Sequence, residues 1–335
     1  MESYRAFVVR KEDGRFSAGW ERRRFEELPE GDVTIRTIYS SVNYKDGLAA
    51  AEHGKVVAAY PIVPGIDAAG VVAASNDARF REGDLVLATG YGLGVSHDGG
   101  FAEYVRLPAD WLVPLPDGLT LKEAMALGTA GFTAALSLQR LIENGVRPED
   151  GPVLVLGATG GVGSLAVAML SRAGFRVTAS TGKAAEHEYL RRLGAAEIVG
   201  RGELADEKQA PLRKQRFAAA VDPVGGKGLR GVLAHIRYGG SVAVSGMAGG
   251  SEFEASVFPF ILRGVSLLGI DSVQCPMERR AALWRSMAGP WKPEGLLADV
   301  ATEVEADALQ ERLSDILRGG VRGRIVVRLG EPPHE

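Results

Sequence analysis

The spacing of hydrophobic positions divides the chain near residue 120. Before this point the apolar runs are short and alternate with polar residues, as in Val33-Thr34-Ile35-Arg36-Thr37-Ile38, and glycine and proline separate them. Short strands at such close spacing are typical of a small β-barrel-like domain. The pattern predicts strands at 4–9, 33–42, 70–74, 84–89 and 100–107, and a short helix at 47–51.

Beyond residue 120 the apolar runs alternate with stretches of helical spacing. Thr120 can cap a helix at 122–127, and the small residues at 128–134 continue it, either past a bound cofactor or against another helix. Strands are predicted at 153–156, 175–179, 196–199, 217–221, 241–244 and 265–271, and helices at 186–193, 206–214, 229–236, 278–287 and 306–317. This alternation indicates a doubly wound parallel sheet. A final strand at 322–329 is expected to return to the first domain.

A glycine-rich turn lies between the strand at 153–156 and an apolar helical stretch that runs to Gly174. Its residues Ala158-Thr159-Gly160-Gly161-Val162-Gly163 match the fingerprint G-x-G-x-x-G with alanine in the first position. N–H groups at a helix N-terminus bind a diphosphate, and small residues let the phosphates approach. Glycine turns also serve as plain connectors, but the flanking elements favour dinucleotide binding by residues 159–163.

The end of the next strand indicates which dinucleotide binds. An NAD site usually places an acidic residue there to hold the ribose 2′-hydroxyl, whereas this chain has Ser180-Thr181-Gly182-Lys183. Hydroxyls and an ammonium group suit a 2′-phosphate, which a carboxylate would repel. We predict NADPH as the cofactor, held by Thr181, Gly182 and Lys183 and by Arg201 after the following strand. The alternative is that Lys183 and Arg201 are ordinary surface cations.

Composition and charge narrow the function classes. The 335 residues suggest two domains, and the net charge of −3 argues against a nucleic-acid partner or an anionic membrane surface. No apolar stretch is long enough to span a bilayer. The single cysteine, Cys275, cannot form a disulfide within the chain, which fits a cytoplasmic location. No two of the five histidines have a metal-ligand spacing, so no metal site is predicted.

Several motifs together resemble one known arrangement. They are Asn43-Tyr44-Lys45-Asp46, Pro64-Gly65-Ile66-Asp67, the stretch 128–134, the turn 160–163, His187-Glu188-Tyr189-Leu190, Pro259-Phe260-Ile261-Leu262-Arg263 and Gly269-Ile270-Asp271-Ser272-Val273. Essentially the whole chain resembles the zinc-free, quinone-oxidoreductase-like part of the medium-chain dehydrogenase/reductase superfamily, in the branch of acryloyl-CoA reductases and quinone oxidoreductases. The resemblance implies an α/β protein in which a GroES-like β-barrel catalytic domain (1–121 and 286–335) is interrupted by a Rossmann domain (122–285).

The resemblance also implies a reaction. Zinc-dependent members carry a cysteine in the region of 43–46 and Gly-His-Glu where this chain has Gly65-Ile66-Asp67, so both ligand positions differ. What the resemblance then implies is reduction of a C=C bond conjugated to a carbonyl, with hydride added at the β-carbon and a proton at the α-carbon. Tyr44 matches a loop tyrosine of related enoyl reductases, where the phenol hydrogen-bonds the developing enolate, donates a proton or only packs against the nicotinamide. Asp46 is placed to cap the helix that follows.

By the same resemblance, further cofactor contacts are expected at Tyr44, Thr129, Met247, Ile261, Ser272 and Arg318. Two positions depart from the pattern of close relatives, because Lys183 stands where they have arginine and Arg318-Gly319 where they have asparagines. The first departure would weaken the affinity for a 2′-phosphate, and the second changes the groups expected near the nicotinamide.

Three functions fit these residues. The first is NADPH-dependent reduction of a short α,β-unsaturated acyl-CoA, above all acryloyl-CoA to propionyl-CoA. The second is reduction of quinones or free enones, and the third is binding of NADPH without useful turnover. The small-molecule substrate is thus an enoyl-CoA or a quinone. Members of the superfamily commonly dimerise by pairing the edge strands of their Rossmann sheets. We therefore expect a homodimer in which the apolar strand at 265–271 pairs with the same strand of a second copy.

Overall fold

The computed structural model describes residues 2–204 and 210–333, which form two compact units. The first unit is Met1–Thr129, Val273–Arg285 and Ala301–Glu335, and the second is Ala130–Ser272 and Ser286–Val300. The boundary expected at 121/122 falls before the border at 129/130. The boundary expected at 285/286 coincides with a border, but residues 273–285 belong to the first unit and residues 286–300 to the second, the reverse of the expectation. The helices Leu121–Glu143 and Met277–Ala288 both continue across a border between the units, so a change of residue pattern does not mark it.

In chain order the strands are β1 (Ser3–Glu12), β2 (Arg15–Arg24), β3 (Val33–Val42), β4 (Asp67–Ser75), β5 (Leu85–Thr89), β6 (Tyr104–Leu107), β7 (Leu112–Pro114), β8 (Val153–Val155), β9 (Val177–Thr181), β10 (Ala195–Gly200), β11 (Phe217–Asp222), β12 (Ile236–Val244), β13 (Ser266–Gly269), β14 (Ala301–Glu305) and β15 (Arg324–Arg328). The α-helices are α1 (Tyr44–Ala49), α2 (Leu121–Glu143), α3 (Gly161–Arg172), α4 (His187–Arg192), α5 (Gly228–His235), α6 (Phe258–Arg263), α7 (Met277–Ala288) and α8 (Leu309–Leu317).

The first unit is built on a mixed sheet in which β3 is the central strand. The strands follow the order β14-β15-β3-β4-β5-β7, with β6 also paired to β3 and with β1 and β2 as a separate antiparallel pair. Apolar residues of β3, β4, β5 and β6 form one core of this unit. The last strand, β15, pairs with β3, and Ile325 lies opposite Val42. The predicted return of the chain end to the first domain is therefore confirmed.

The second unit is built on a parallel sheet with the strand order β10-β9-β8-β11-β12-β13. All of its strand pairs are parallel, which confirms the predicted doubly wound sheet. The first strand, β8, lies between β9 and β11, so the order of the strands reverses beside it. In such sheets the ligand binds outside the carboxyl ends of the strands at this reversal point.

Most predicted elements are present within a few residues, and the differences have local causes. The strands β2, β7 and β14 were not predicted. The sequences of β2 and β14, RFSAGWERRR and ATEVE, lack an apolar run, and β7 has only three residues. The helix α1 begins at Tyr44 rather than at residue 47, since Asn43 and Asp46 form a capping box at its start. The helix α2 extends to Glu143, with a non-helical backbone at Gly128.

One predicted helix differs more strongly. Part of the helix predicted at 206–214 lies outside the described residues, and residues 210–214 are not helical. Pro211 explains this, because a proline lacks the N–H group and its ring clashes with a preceding helical turn. The strand predicted at 265–271 is shorter, and spans Ser266–Gly269.

Candidate functional site

The glycine turn of the second unit joins β8 to α3. A Cβ on Gly163 would overlap the carbonyl oxygen of Gly157, so only glycine allows this close packing of helix on turn. Ser164 Oγ donates to the carbonyl oxygen of Ala158 at 3.1 Å, and this hydrogen bond ties the first turn of α3 to the residues before it. Thr159 is buried, whereas Gly160, Gly161 and Val162 are partly exposed. The exposed N-terminus of a twelve-residue helix with small residues before it is a suitable diphosphate site.

The cations predicted to select a 2′-phosphate lie at the carboxyl ends of β9 and β10. Thr181 is the last residue of β9, and its Oγ1 accepts the backbone N–H of Lys183 at 3.0 Å. The guanidinium of Arg201 lies over Gly182, since a Cβ on this glycine would be 3.3 Å from Arg201 Nη2. The structure therefore brings Lys183 and Arg201 to one corner of the sheet, beside Gly182.

The other residues predicted to contact the cofactor in the second unit follow later strands. Met247 lies after β12 and is 59% exposed, and Ile261 lies in α6 and is 68% exposed. Ser272 follows β13. Because all of these strands are parallel, Met247 and Ser272 lie on the same carboxyl side of the sheet as the glycine turn. The exposure of the Ile261 side chain is compatible with the predicted cofactor contact and equally with any other surface contact.

Tyr44 is the first residue of α1 in the first unit and is 43% exposed. Its backbone position is fixed from both sides, because the backbone N–H of Asn43 donates to Asp46 Oδ2 at 2.8 Å and that of Ile66 donates to Asp46 Oδ1 at 2.9 Å. Asp46 is therefore not the N-cap residue that was predicted: Asn43 is the N-cap, and Asp46 is the third helical residue, whose carboxylate accepts the N–H of Asn43. Arg318 follows α8 and pairs with Asp315 at 2.6 Å.

A buried polar cluster, formed by Ser41, Asn43, Asp67, Thr129 and Arg324, lies directly beside this turn. The Asp67 carboxylate accepts Ser41 Oγ at 2.5 Å, Asn43 Nδ2 at 2.8 Å and the Thr129 hydroxyl at 2.6 Å. The Thr129 backbone N–H also donates to Asp67, at 2.9 Å. Thr129, predicted as a cofactor contact, is thus held by this cluster.

Arg324 completes the cluster from β15. Its guanidinium donates to the carbonyl oxygens of Val42 at 3.1 Å and Ala126 at 3.2 Å, to Ser41 Oγ at 2.7 Å and to Asn43 Oδ1 at 3.0 Å. Gly128 is required beside it, because this residue has φ 51° and a Cβ there would lie 2.5 Å from Asp67 Oδ2. Arg324 is not among the site residues predicted from the sequence. The available signal was a charged residue at the start of the apolar strand Arg324–Arg328.

Two carboxyl groups are buried close together in this region. Burial, and secondly the negative charge of Asp67, raise the pKa of Asp46 to about 7. Asp67 occupies the third position of the Gly65-Ile66-Asp67 motif, and its oxygens are engaged by the cluster. Among residues 2–204 and 210–333, no group of three or more histidine, cysteine, aspartate or glutamate side chains could hold a metal ion.

Comparison with known proteins finds relatives over the whole chain. Residues 29–117 match the alcohol dehydrogenase GroES-like domain family, and residues 161–288 match the zinc-binding dehydrogenase family. YhfP of Bacillus subtilis, a candidate quinone oxidoreductase, is 56% identical over 91% of this chain and 92% of its own. Acrylyl-CoA reductase AcuI of Ruegeria pomeroyi is 46% identical over 97% of this chain and 98% of its own.

Solved structures of similar proteins have the same fold. The crystal structure of Bacillus subtilis YhfP with NAD bound matches with a TM-score of 0.96 and 53% identity, over 98% of this chain and 100% of that chain. The crystal structure of Escherichia coli YhdH with bound NADPH matches with a TM-score of 0.93 and 45% identity, over 97% and 100%. Within the described part of the chain, no helix is long and apolar enough to cross a membrane.

Proposed function

The chain belongs to the zinc-free, quinone-oxidoreductase-like branch of the medium-chain dehydrogenase/reductase superfamily, and from this premise we propose that it uses NADPH to reduce the C=C bond of a short α,β-unsaturated acyl-CoA. The proposed reaction converts acryloyl-CoA to propionyl-CoA. The observation that carries the substrate class is the likeness to acrylyl-CoA reductase AcuI over nearly the whole of both chains. The protein is an oxidoreductase, so binding of NADPH without turnover is the weakest of the three functions considered.

The residues of the second unit fit NADPH. The glycine turn leaves space at the N-terminus of α3, where backbone N–H groups and the helix dipole favour a diphosphate. Lys183 and Arg201 flank Gly182, where two cations would attract the 2′-phosphate that distinguishes NADPH from NADH. The end of β9, Ser180-Thr181, carries no carboxylate that would repel this phosphate.

The chemistry assigned to the chain's own residues centres on Tyr44. When bound, NADPH supplies the hydride that adds to the β-carbon of the substrate. Negative charge then develops on the thioester oxygen, and a phenol that donates a hydrogen bond to this oxygen stabilises the enolate. The exposed ring of Tyr44 and its fixed backbone suit this task, and the α-carbon takes its proton from Tyr44 or from water.

The deciding experiment traces the hydride and the proton that are added to the C=C bond. The purified protein is incubated with acryloyl-CoA and NADPH carrying deuterium at C4, and the product is analysed by mass spectrometry and NMR. We expect propionyl-CoA with deuterium at the β-carbon, and, in heavy water, deuterium at the α-carbon. Crotonyl-CoA, free acrylate and a quinone panel are compared by kcat/KM under the same conditions. Oxidation of NADPH by quinones but not by acryloyl-CoA would contradict the proposed substrate.

The second candidate is an NADPH-dependent quinone or enone reductase. It is supported by the higher identity to YhfP, the candidate quinone oxidoreductase. The two candidates differ in the charge of the substrate, because CoA carries phosphates and a quinone does not. Binding of CoA that weakens as salt is raised would favour the acyl-CoA reductase, and quinone kinetics independent of salt would favour the alternative.

We further propose a homodimer, with a small-molecule substrate as the other partner, and a cytoplasmic location in keeping with a sequence whose single cysteine, Cys275, cannot form a disulfide within the chain. In the described sheet of the second unit β13 is an edge strand, and Leu267 on it is 39% exposed. Val257, Phe258, Ile261 and Leu262 before it are also exposed. An apolar edge of this kind is stabilised when a second strand covers it.

A further inference from the structure

Asp222 is a buried carboxylate of the second unit that the proposed chemistry does not use. It is the last residue of β11 and is 0% exposed. Its Oδ1 accepts the backbone N–H groups of Val224 at 2.7 Å and Gly225 at 2.9 Å. Its Oδ2 is buried without a hydrogen-bond partner among the described residues. The hydrogen bonds of this carboxylate therefore all run from Oδ1 to the turn that follows β11.

The turn that Asp222 holds, residues 223–226, is bonded to the loop that follows the neighbouring strand, residues 245–250. The backbone N–H of Ser245 donates to the carbonyl oxygen of Asp222 at 3.0 Å, and that of Gly249 donates to the carbonyl oxygen of Val224 at 2.7 Å. Two backbone hydrogen bonds, one near the start and one near the end of the loop, therefore hold the loop against the turn.

Glycines bring the two segments together without intervening side chains. A Cβ on Gly225 would lie 2.6 Å from the carbonyl oxygen of Gly246, and a Cβ on Gly226 would overlap that of Gly249. Gly225 and Gly226 both have positive φ, which only glycine adopts readily. Since backbone packs directly on backbone, displacement of the turn 223–226 also displaces the loop 245–250.

Both segments lie where the sheet is expected to bind its dinucleotide. β11 is adjacent to β8 at the point where the strand order reverses. The side chain of Val224 lies against the glycine turn, because a Cβ on Gly157 would be 3.0 Å from Val224 Cγ2. The loop 245–250 carries Met247, which is exposed. The Asp222 carboxylate thus fixes a turn that contacts the phosphate-binding turn on one side and the Met247 loop on the other.

We propose that Asp222 is a positioning residue for NADPH. It acts through the turn 223–226, by setting the position of Val224 against Gly157 and the path of the loop 245–250, and it does not touch the reacting atoms. The proposal rests on the NADPH dependence proposed above. It goes further by assigning part of the NADPH affinity to a buried group behind the binding surface.

The test compares the dissociation constant for NADPH, measured by fluorescence titration, in three variants. Asp222→Ala removes both bonds to the turn and should raise this constant about tenfold, while kcat at saturating NADPH changes less than about twofold. Asp222→Asn keeps an oxygen for the two N–H groups and should restore the wild-type constant. The control is Ser241→Ala in β12, which removes the acceptor of a hydrogen bond of 2.8 Å that Asn144 Nδ2 donates to Ser241 Oγ. It should lower thermal stability and leave NADPH affinity unchanged.

Each outcome decides a separate point. A wild-type protein that does not bind NADPH contradicts the proposed function. A wild-type protein that binds, together with an Asp222→Ala constant no higher than that of Ser241→Ala, overturns the positioning role. If Asp222→Ala does not fold, Gly249→Ala decides, because its Cβ would lie 3.0 Å from Val224 Cγ1 and displace the same turn with the carboxylate intact. An unchanged constant in Gly249→Ala overturns the proposal, and a raised one supports it.

Discussion

Arg324 Nη2 lies 3.4 Å from Asp67 Oδ2 in the interior of the first unit, where the two side chains are 2% and 0% exposed. The pair joins the start of β4 to the start of β15, and it closes the polar cluster around Ser41, Asn43 and Thr129. A buried ion pair stabilises a fold only when hydrogen bonds satisfy its remaining donors and acceptors, and this cluster supplies them. The backbone before Tyr44 is held by the same groups, so the pair links the stability of the unit to the site.

Removal of the arginine should therefore destabilise the first unit strongly. Arg324→Met leaves the Asp67 carboxylate buried without its cation, and we expect a loss of about 3–5 kcal/mol in the free energy of unfolding, measured by urea denaturation. The control is Arg318→Ala, which removes an ion pair of the same chemistry in which Arg318 is 69% exposed. An exposed pair of this kind contributes about 0–1 kcal/mol. Equal losses of unfolding free energy in the two variants would show that the buried pair stabilises the unit no more than the exposed pair does.

Asp46 should make the stability depend on pH. Burial and the negative charge of Asp67 raise its pKa in the folded protein to about 7, so the folded state binds the proton more tightly than the unfolded chain. The resulting stability is fully present below the unfolded pKa and is lost as the pH rises through about 7. Between pH 5 and 8 this amounts to about 2–3 kcal/mol of unfolding free energy. Asp46→Asn cannot ionise, so its stability should fall less over this range; parallel curves for the two proteins would contradict the prediction.

The corner formed by Thr181, Lys183 and Arg201 should select NADPH over NADH. Lys183→Ala is expected to cost on the order of 1.5–3 kcal/mol of NADPH affinity if its charged hydrogen bond to the 2′-phosphate is buried, and less for NADH. Lys214→Ala removes an exposed cation before β11 and serves as the matched control. The measurements are kcat/KM and the dissociation constant for both cofactors. Comparable wild-type kcat/KM values would end the claim of preference, and an equal loss for both cofactors in Lys183→Ala would mean that the lysine acts through structure.

The homodimer should depend on the edge strand β13. Leu267→Glu places a charge on this edge, and we expect the dimer to dissociate to monomer at micromolar concentration in light scattering. Tyr238→Glu changes another exposed hydrophobic residue, which is 79% exposed, and should leave the dimer intact. A wild-type protein that is already monomeric at this concentration would rule out the proposed assembly.

The sequence was sufficient where structure depends on neighbours in the chain. The strand, glycine turn and helix from Val153 to Arg172 could be predicted because the spacing of glycines and apolar residues is local. The Asp67–Arg324 pair could not, since 257 positions separate its members and only the pairing of β3 with both β15 and β4 brings them together. Asp222 directly follows the strand predicted at 217–221. Its burial depends on the strands on either side, which a single sequence does not order.

The last prediction concerns Tyr44 and separates three roles for its phenol. If the hydroxyl hydrogen-bonds the enolate, Tyr44→Phe should lower kcat and kcat/KM together by about a hundred- to a thousandfold, since a donor to a developing oxyanion contributes roughly 2.7–4 kcal/mol. NADPH affinity should remain nearly intact, because phenylalanine keeps the ring. If the hydroxyl donates the proton, the remaining turnover should also show a solvent isotope effect in heavy water. If the ring only packs against the nicotinamide, the rate should stay within about threefold of wild type, and the catalytic assignment of Tyr44 would be wrong.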